Sequence, residues 1–445
     1  MTVSTMSHTV NRTSPTALPQ FILLSSRGKK LAAVVIASAL LCLSATSLEA
    51  VDTAGTLAWD LPALTKTPTI HPAEDRPASG MRSLFYEGAD YHGKPTWVFA
   101  YYSTPQGEPP VGGWPAVVCA HGGGGTAYPE WVKKWNQNGY AAIAIDLEGH
   151  LPGGNSHQVE GNFPVGQSHP NAGPARIDWF GDRDLPDREQ WFYHAVADCV
   201  RAHSLLCSFP EINPQKIGLN GISWGATVAS TVAGVDPRFA FVIPVYGCGF
   251  IHECDSDGLA QWFPPKNMTA QQFEDYRTKW DPSAHLPHAK MPMLWVSGFT
   301  DPVFPINIFA RSAKVAGGKS LLCVRPWVIH AHGSGWDEVW EIYAFANSIV
   351  KDDPPMPSLD CPKIEAQDGL VHAACKGNLK AASLCFTTSA GKWKDRHWAN
   401  IACTIGTGEV IASKTLPHNT KAFLINATDT RDGTVNSELV EVNTP

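Results

Sequence analysis

Lys216-Ile217-Gly218-Leu219-Asn220-Gly221-Ile222-Ser223-Trp224-Gly225-Ala226-Thr227-Val228-Ala229-Ser230 changes character at its middle. The first five residues form a short apolar run that reads as a buried strand. The last five are small and continue to Gly234, as a tightly packed helix requires. Between them lies a G-x-S-x-G pentapeptide, Gly221 to Gly225. A strand that turns into a helix within so few residues must turn sharply. Such a turn pushes the Ser223 hydroxyl out above the sheet and needs glycine at its flanks to avoid a clash. The pentapeptide alone is a weak signal; its position between a strand and a helix gives it weight.

Further strands surround it. Trp97 to Tyr102, Ala116 to Ala120 and Ala141 to Ile145 precede it; Phe239 to Val245, Met293 to Val296 and Leu321 to Val324 follow. Their continuous apolar character suits a parallel sheet covered on both faces. Helices are expected from about Pro186, from near Pro305 to the Gly317-Gly318 stop, and from about Asp337 to Val350. Alternating strands and helices predict an α/β, doubly wound, mostly parallel sheet.

A serine hydroxyl is a poor nucleophile at neutral pH and needs a base held by a carboxylate. Both slots are filled after later strands. Ser297-Gly298-Phe299-Thr300-Asp301 places Asp301 at one strand's C-terminal end, where a helix cap before Pro302 is its alternative role. Val328-Ile329-His330-Ala331-His332-Gly333 offers two histidines after the next strand. His332 is the expected base, because Gly333 gives its loop room; His330 is the competitor. His121-Gly122-Gly123-Gly124-Gly125 closes the strand Ala116 to Ala120. Glycines there leave a backbone N–H free to meet a developing oxyanion. Gly123 and Trp224 are the expected donors. No Gly-Lys-Ser/Thr follows the glycines, so a phosphate loop of the Walker type is not indicated. His150, His157 and His169 share a long Gly-rich loop without zinc spacing and read as solvated residues. The aromatic stretch 250–285 is either a lid over substrate or a self-packed cluster.

The remainder bounds the class of protein. The chain has 445 residues, 44% hydrophobic and 17% charged, with a net charge of −7. That composition allows a large core and excludes disorder as the main state. No basic stripe is present, so nucleic acid is not an expected partner. Arg27, Lys29 and Lys30 precede an apolar run, Leu31 to Leu43, followed by small residues. These are the parts of a secretory signal peptide, and the run is too short to span a bilayer of about 20 apolar residues. Residues 1–50 are therefore expected to direct export to the periplasm or medium, without a stable membrane anchor. Residues 51–79 read as an extended leader, 80–353 as the α/β domain and 357–445 as a small C-terminal β-sandwich of short strands between Gly-containing turns. Export permits disulfides. Cys361, Cys375, Cys385 and Cys403 are read as one or two staples of that module, the alternative being small core residues.

Residues about 80–350 resemble the α/β-hydrolase superfamily, and within it the acetylxylan esterase, cephalosporin deacetylase and dienelactone hydrolase group. His121 to Gly125, Gly221 to Gly225, Gly298 to Asp301 and His330 to Gly333 carry the resemblance. Ser223 departs from the cysteine nucleophile usual in dienelactone hydrolases. The resemblance implies an exported serine hydrolase of carboxylic esters, with Ser223, Asp301 and His332 as triad and neither metal nor cofactor. Export and the appended module favour an ester on a polysaccharide, an acetyl ester among them. Two other readings are a prolyl-oligopeptidase-like peptidase and a non-catalytic binding protein on the same scaffold. Oligomeric state is not legible.

Overall fold

Along the central strands, successive buried residues fall alternately into two apolar clusters. Ala116, Val118 and Ala120 belong to one apolar cluster, while Val117 and Cys119 belong to another. A strand sends successive side chains to opposite faces, so this sheet is covered on both. The computed structural model describes residues 59–442, except 74–77, 79, 153–166, 178–179, 261–262, 265–266 and 332–336. The expected signal peptide, much of the leader, and His157, His332 and Gly333 lie outside the described residues.

In chain order the central elements are β1 (Arg82–Glu87), β2 (Trp97–Ser103), β3 (Trp114–Ala120), α1 (Pro129–Gln137), β4 (Ala141–Ile145), α2 (Trp191–Cys207), β5 (Ile212–Ile222), α3 (Trp224–Val235), β6 (Phe241–Val245), β7 (Met293–Ser297), α4 (Ile306–Val315), β8 (Ser320–Val324) and α5 (Glu341–Val350). Pairing places the strands in the order β1-β2-β4-β3-β5-β6-β7-β8. β1 and β4 are both antiparallel to β2; from β4 to β8 all neighbours are parallel. Helices α2, α3 and α4 pack on one face, α1 and α5 on the other. Among the described residues no helix is long and apolar enough to cross a membrane.

Two helix starts fall later than expected. Asp187–Glu189 form a separate 3-10 turn, and α2 begins at Trp191, whose N–H donates to Asp182 Oδ2 at 2.5 Å. That carboxylate satisfies one of the orphan donors of the helix start. α5 begins at Glu341 rather than Asp337.

Beyond Pro357 lie β9 (Val371–Lys376), β10 (Leu379–Thr387), β11 (Ala399–Gly406), β12 (Glu409–Ala412), β13 (Ala422–Asp429) and β14 (Thr434–Asn436), all antiparallel to their partners. β11 pairs through its first half with β10 and through its second half with β12, so it belongs to two sheets. Between them lie Val371, Ala373, Leu384, Val410, Phe423 and Ile425. This module is not a free appendage. Leu322 of β8 pairs with Asn436 of β14, and the Val324 N–H donates to Asn436 Oδ1 at 2.6 Å. The central sheet and the module thus share one continuous ladder.

The expected staples do not form. All ten cysteines among the described residues carry free thiols. Cys375 stands opposite Leu359, Cys385 opposite Leu424 and Asn400, and Cys403 opposite Ala412. A disulfide needs Cα atoms within about 7 Å and converging Cβ vectors, and no ladder pairs two of these cysteines. Cys385 instead fills a core position, where burial pushes its thiol up to about 11.

Candidate functional site

The turn after β5 is as tight as its sequence implies. Ser223 has φ 55° and ψ −121°, a backbone conformation rare for any residue but glycine. A Cβ on Gly221 would lie 2.2 Å from the Gly225 carbonyl oxygen. One on Gly225 would lie 2.3 Å from the carbonyl oxygens of both Ala120 and His121. Those two glycines let the turn close against the end of β3. The Ser223 N–H donates to Val245 O at 2.9 Å, and Ser223 O accepts the Ala226 and Thr227 amides at the start of α3. These bonds hold the strained residue in place.

Loops from the neighbouring strands β7 and β8 reach the hydroxyl in relay. His330 Nε2 lies 2.7 Å from Ser223 Oγ. His330 Nδ1 lies 2.9 and 3.2 Å from the two oxygens of Asp301. Asp301, 3% exposed, also accepts the Val303 and Phe304 amides at 2.8 and 2.7 Å. Those bonds fix the carboxylate toward the ring, so Nδ1 carries the hydrogen and Nε2 offers a lone pair to the serine. The ring is gripped between Phe304, stacked at 5.9 Å, and Tyr246, at 4.6 Å. Tyr246 Oη donates to the Ala331 carbonyl and pins the loop just past the histidine. The structure brings His330 to Ser223 in the place expected of His332, which lies outside the described residues. His330, nearer the strand end, meets Ser223, because the loop leaves β8 close-packed: a Cβ on Gly298 would touch Val328 O at 2.1 Å.

Gly123 sits in a turn closed by the Gly125 N–H on Gly122 O at 3.0 Å. Trp224 is the first residue of α3, where amides have no acceptor within the helix. Contact of Gly225 with Ala120 and His121 brings this loop against the serine turn. The arrangement has the parts for acyl transfer: hydroxyl, base, orienting carboxylate and two backbone regions able to meet an oxyanion.

A model of the acetyl xylan esterase family (AXE1) matches residues 83–253, and one of the prolyl oligopeptidase family matches residues 185–351. The structure of an acetyl xylan esterase from Paenibacillus sp. R4 superposes with a TM-score of 0.51 at 21% identity, covering 65% of this chain and 92% of that one. The chain has the α/β-hydrolase fold, with its likeness to the acetylxylan esterase-like group. The acetyl esterase Axe7A of Xylanibacter ruminicola is 24% identical over 144 residues, 32% of this chain and 30% of that protein. Polyketide transferase claH of Penicillium crustosum is 43% identical over 67 residues, 15% of this chain and 22% of that one. The chain thus matches less than a third of the length of these curated relatives.

The described residues of 250–285 form a packed cluster joined to the main core. Phe263 lies 4.5 Å from Tyr276, and Tyr276 lies 4.6 Å from Phe180, which in turn packs against Trp224. Fully buried Asp281 accepts the Phe250 and Ile251 amides at 2.8 and 2.9 Å and the Tyr276 hydroxyl at 3.1 Å. Sequence reasoning passed over Tyr246, Glu148 and Arg176. Each sits in a stretch without periodicity, and only spatial neighbours distinguish it.

Proposed function

We propose that this protein is an exported serine hydrolase of carboxylic esters. Ser223 Oγ attacks the ester carbonyl carbon as its proton passes to His330 Nε2. Asp301 keeps His330 in the productive tautomer and stabilises the imidazolium. The N–H groups of Gly123 and Trp224 meet the tetrahedral oxyanion. Collapse expels the alcohol, which takes the proton back from His330. Water, deprotonated by the same ring, then releases the acid from the acyl-enzyme.

The reading rests on one observation above all: the 2.7 Å approach of His330 Nε2 to Ser223 Oγ with Asp301 on the other ring nitrogen. Similarity to acetyl esterases supports an acetyl ester, and the expected signal peptide supports a substrate outside the cell, such as an acetylated polysaccharide. Similarity to the prolyl oligopeptidase family supports amide cleavage by the same residues as a second reading. Fluorophosphonate labelling, followed by p-nitrophenyl esters set against peptide anilides, separates the two. Ser223→Ala is expected to lose label and to lower ester turnover by roughly 10⁴ or more. A variant retaining a tenth of the activity would remove Ser223 from the mechanism.

A further inference from the structure

The turn that leaves β4 is bonded to the glycine loop that leaves β3. Leu147 N–H donates to His121 Nε2 at 2.8 Å, and the other ring nitrogen, Nδ1, donates to Gly122 O at 2.7 Å. Asp146 Oδ2 accepts the Glu148 and His150 amides at 3.0 and 2.7 Å, which folds the turn back on itself. Glu148, 4% exposed, then accepts the Gly124 N–H at 2.8 Å on Oε1. The same oxygen accepts Arg176 Nε–H at 2.9 Å. A Cβ on Gly123 would lie 3.4 Å from Arg176 Cζ, so the guanidinium rests against the residue expected to supply an oxyanion donor.

A carboxylate in that place has two opposed effects. It grips the amide next to Gly123 and so fixes the direction of the loop. It also puts a negative charge beside the site where an oxyanion develops, and like charges in a poorly solvated site repel strongly. Arg176 removes the second effect while leaving the first.

We infer that Glu148 and Arg176 are a positioning pair for the oxyanion loop: the carboxylate aims the loop through Gly124, and the guanidinium cancels its charge. The inference rests on the acyl-transfer reading above. Neither side chain is a catalytic residue in this scheme; each acts through the backbone of residues 123 and 124.

Arg176→Ala leaves the buried carboxylate without its counter-charge. Steady-state hydrolysis of p-nitrophenyl acetate is expected to show kcat lowered by about tenfold or more, up to the ~10²–10³-fold of losing an oxyanion donor outright, with KM changed by less than about threefold. Glu148→Gln/Arg176→Ala keeps an acceptor for Gly124 and discards the charge, so it is expected to recover most of the lost kcat. A general loosening of the fold would make the double variant worse, not better. Where the alanine variant does not fold, Arg176→Gln and its double with Glu148→Gln carry the same comparison. The pair is overturned by a single variant with wild-type kcat, by a loss confined to KM, or by a double variant no better than the single. Wild-type protein that neither takes fluorophosphonate nor cleaves the ester overturns the acyl-transfer reading instead, and the pair's role with it.

Discussion

Two adjacent candidates for one role separate at the residue scale. His330 and His332 are equally histidine; His330 has a partner on each ring nitrogen, and His332 lies outside the described residues. His330→Ala is expected to cost at least about a thousandfold in kcat, against less than about tenfold for His332→Ala. Kinetics on the two purified variants decide it, and a larger loss at His332 reverses the assignment. Other histidines contribute to the loss of stability in acid. Burial pushes His194 and His203 on α2 down to about 4, from an ordinary 6.5. Both are neutral in the folded protein, so the unfolded chain takes up protons first as the pH falls below about 6.5. Their stabilising contribution is whole above that pH, shrinks between about 6.5 and 4, and levels off below. Each shift is worth on the order of 3 kcal/mol across that window. Thermal melts from pH 7 to 4.5 are expected to show a smaller fall for His203→Gln than for the wild type; parallel curves count against this.

At the scale of elements, the contact between β8, α5 and β14 converges on one carboxylate. Glu341, fully buried in the first turn of α5, accepts a charge-assisted bond from Arg325 just after β8. It also accepts the Thr434 N–H of β14 at 2.6 Å. Removing one partner of such a pair strands the other charge. Glu341→Ala is expected to destabilise the protein by about 3–5 kcal/mol, and Glu341→Gln by less, since it still accepts from Thr434. Urea unfolding of the three proteins measures this; equal midpoints would discard the bridge. Elements also differ in how plainly they are written. β4 and β7 are buried on both faces and appear as unbroken apolar runs. β1, Arg-Ser-Leu-Phe-Tyr-Glu, is an antiparallel strand with charged ends and a mixed pattern, and α1 begins at a proline after the glycine loop. β1 shows no clean alternation and takes its form from β2, with which it pairs, whereas α1 buries Trp131, Val132 and Trp135 on one face.

Across the whole molecule, the C-terminal module supports the acid loop. Phe299, two residues before Asp301, lies 5.0 Å from Trp398 of the module. Phe299, Ile306 and Val324 share an apolar cluster with Cys385, Trp393, Ala422 and Leu424. Deleting residues 357–445 uncovers that cluster and leaves the β8 edge unpaired, a template for aggregation. The truncated chain is expected to be insoluble, or soluble with ester turnover lowered by more than about tenfold. Size-exclusion chromatography and turnover assays test this. A soluble, monomeric, fully active truncation would make the module independent.

The sequence by itself determined the order of strands and helices, the serine turn and the carboxylate of Asp301. Each is local: a run of apolar residues, a turn only glycine permits, an acid at a strand's end. It also placed a glycine loop at the end of the strand Ala116 to Ala120; the approach of Gly225 to Ala120 and His121 came from the tertiary structure. Tertiary structure alone decided which histidine reaches Ser223, that the module's cysteines stand opposite non-cysteine neighbours, and that the module continues the sheet of the catalytic portion. Those outcomes depend on register and on how far a loop reaches from the strand before it. Register is set by pairing between residues as far apart as Leu322 and Asn436, a separation over which no local pattern carries information.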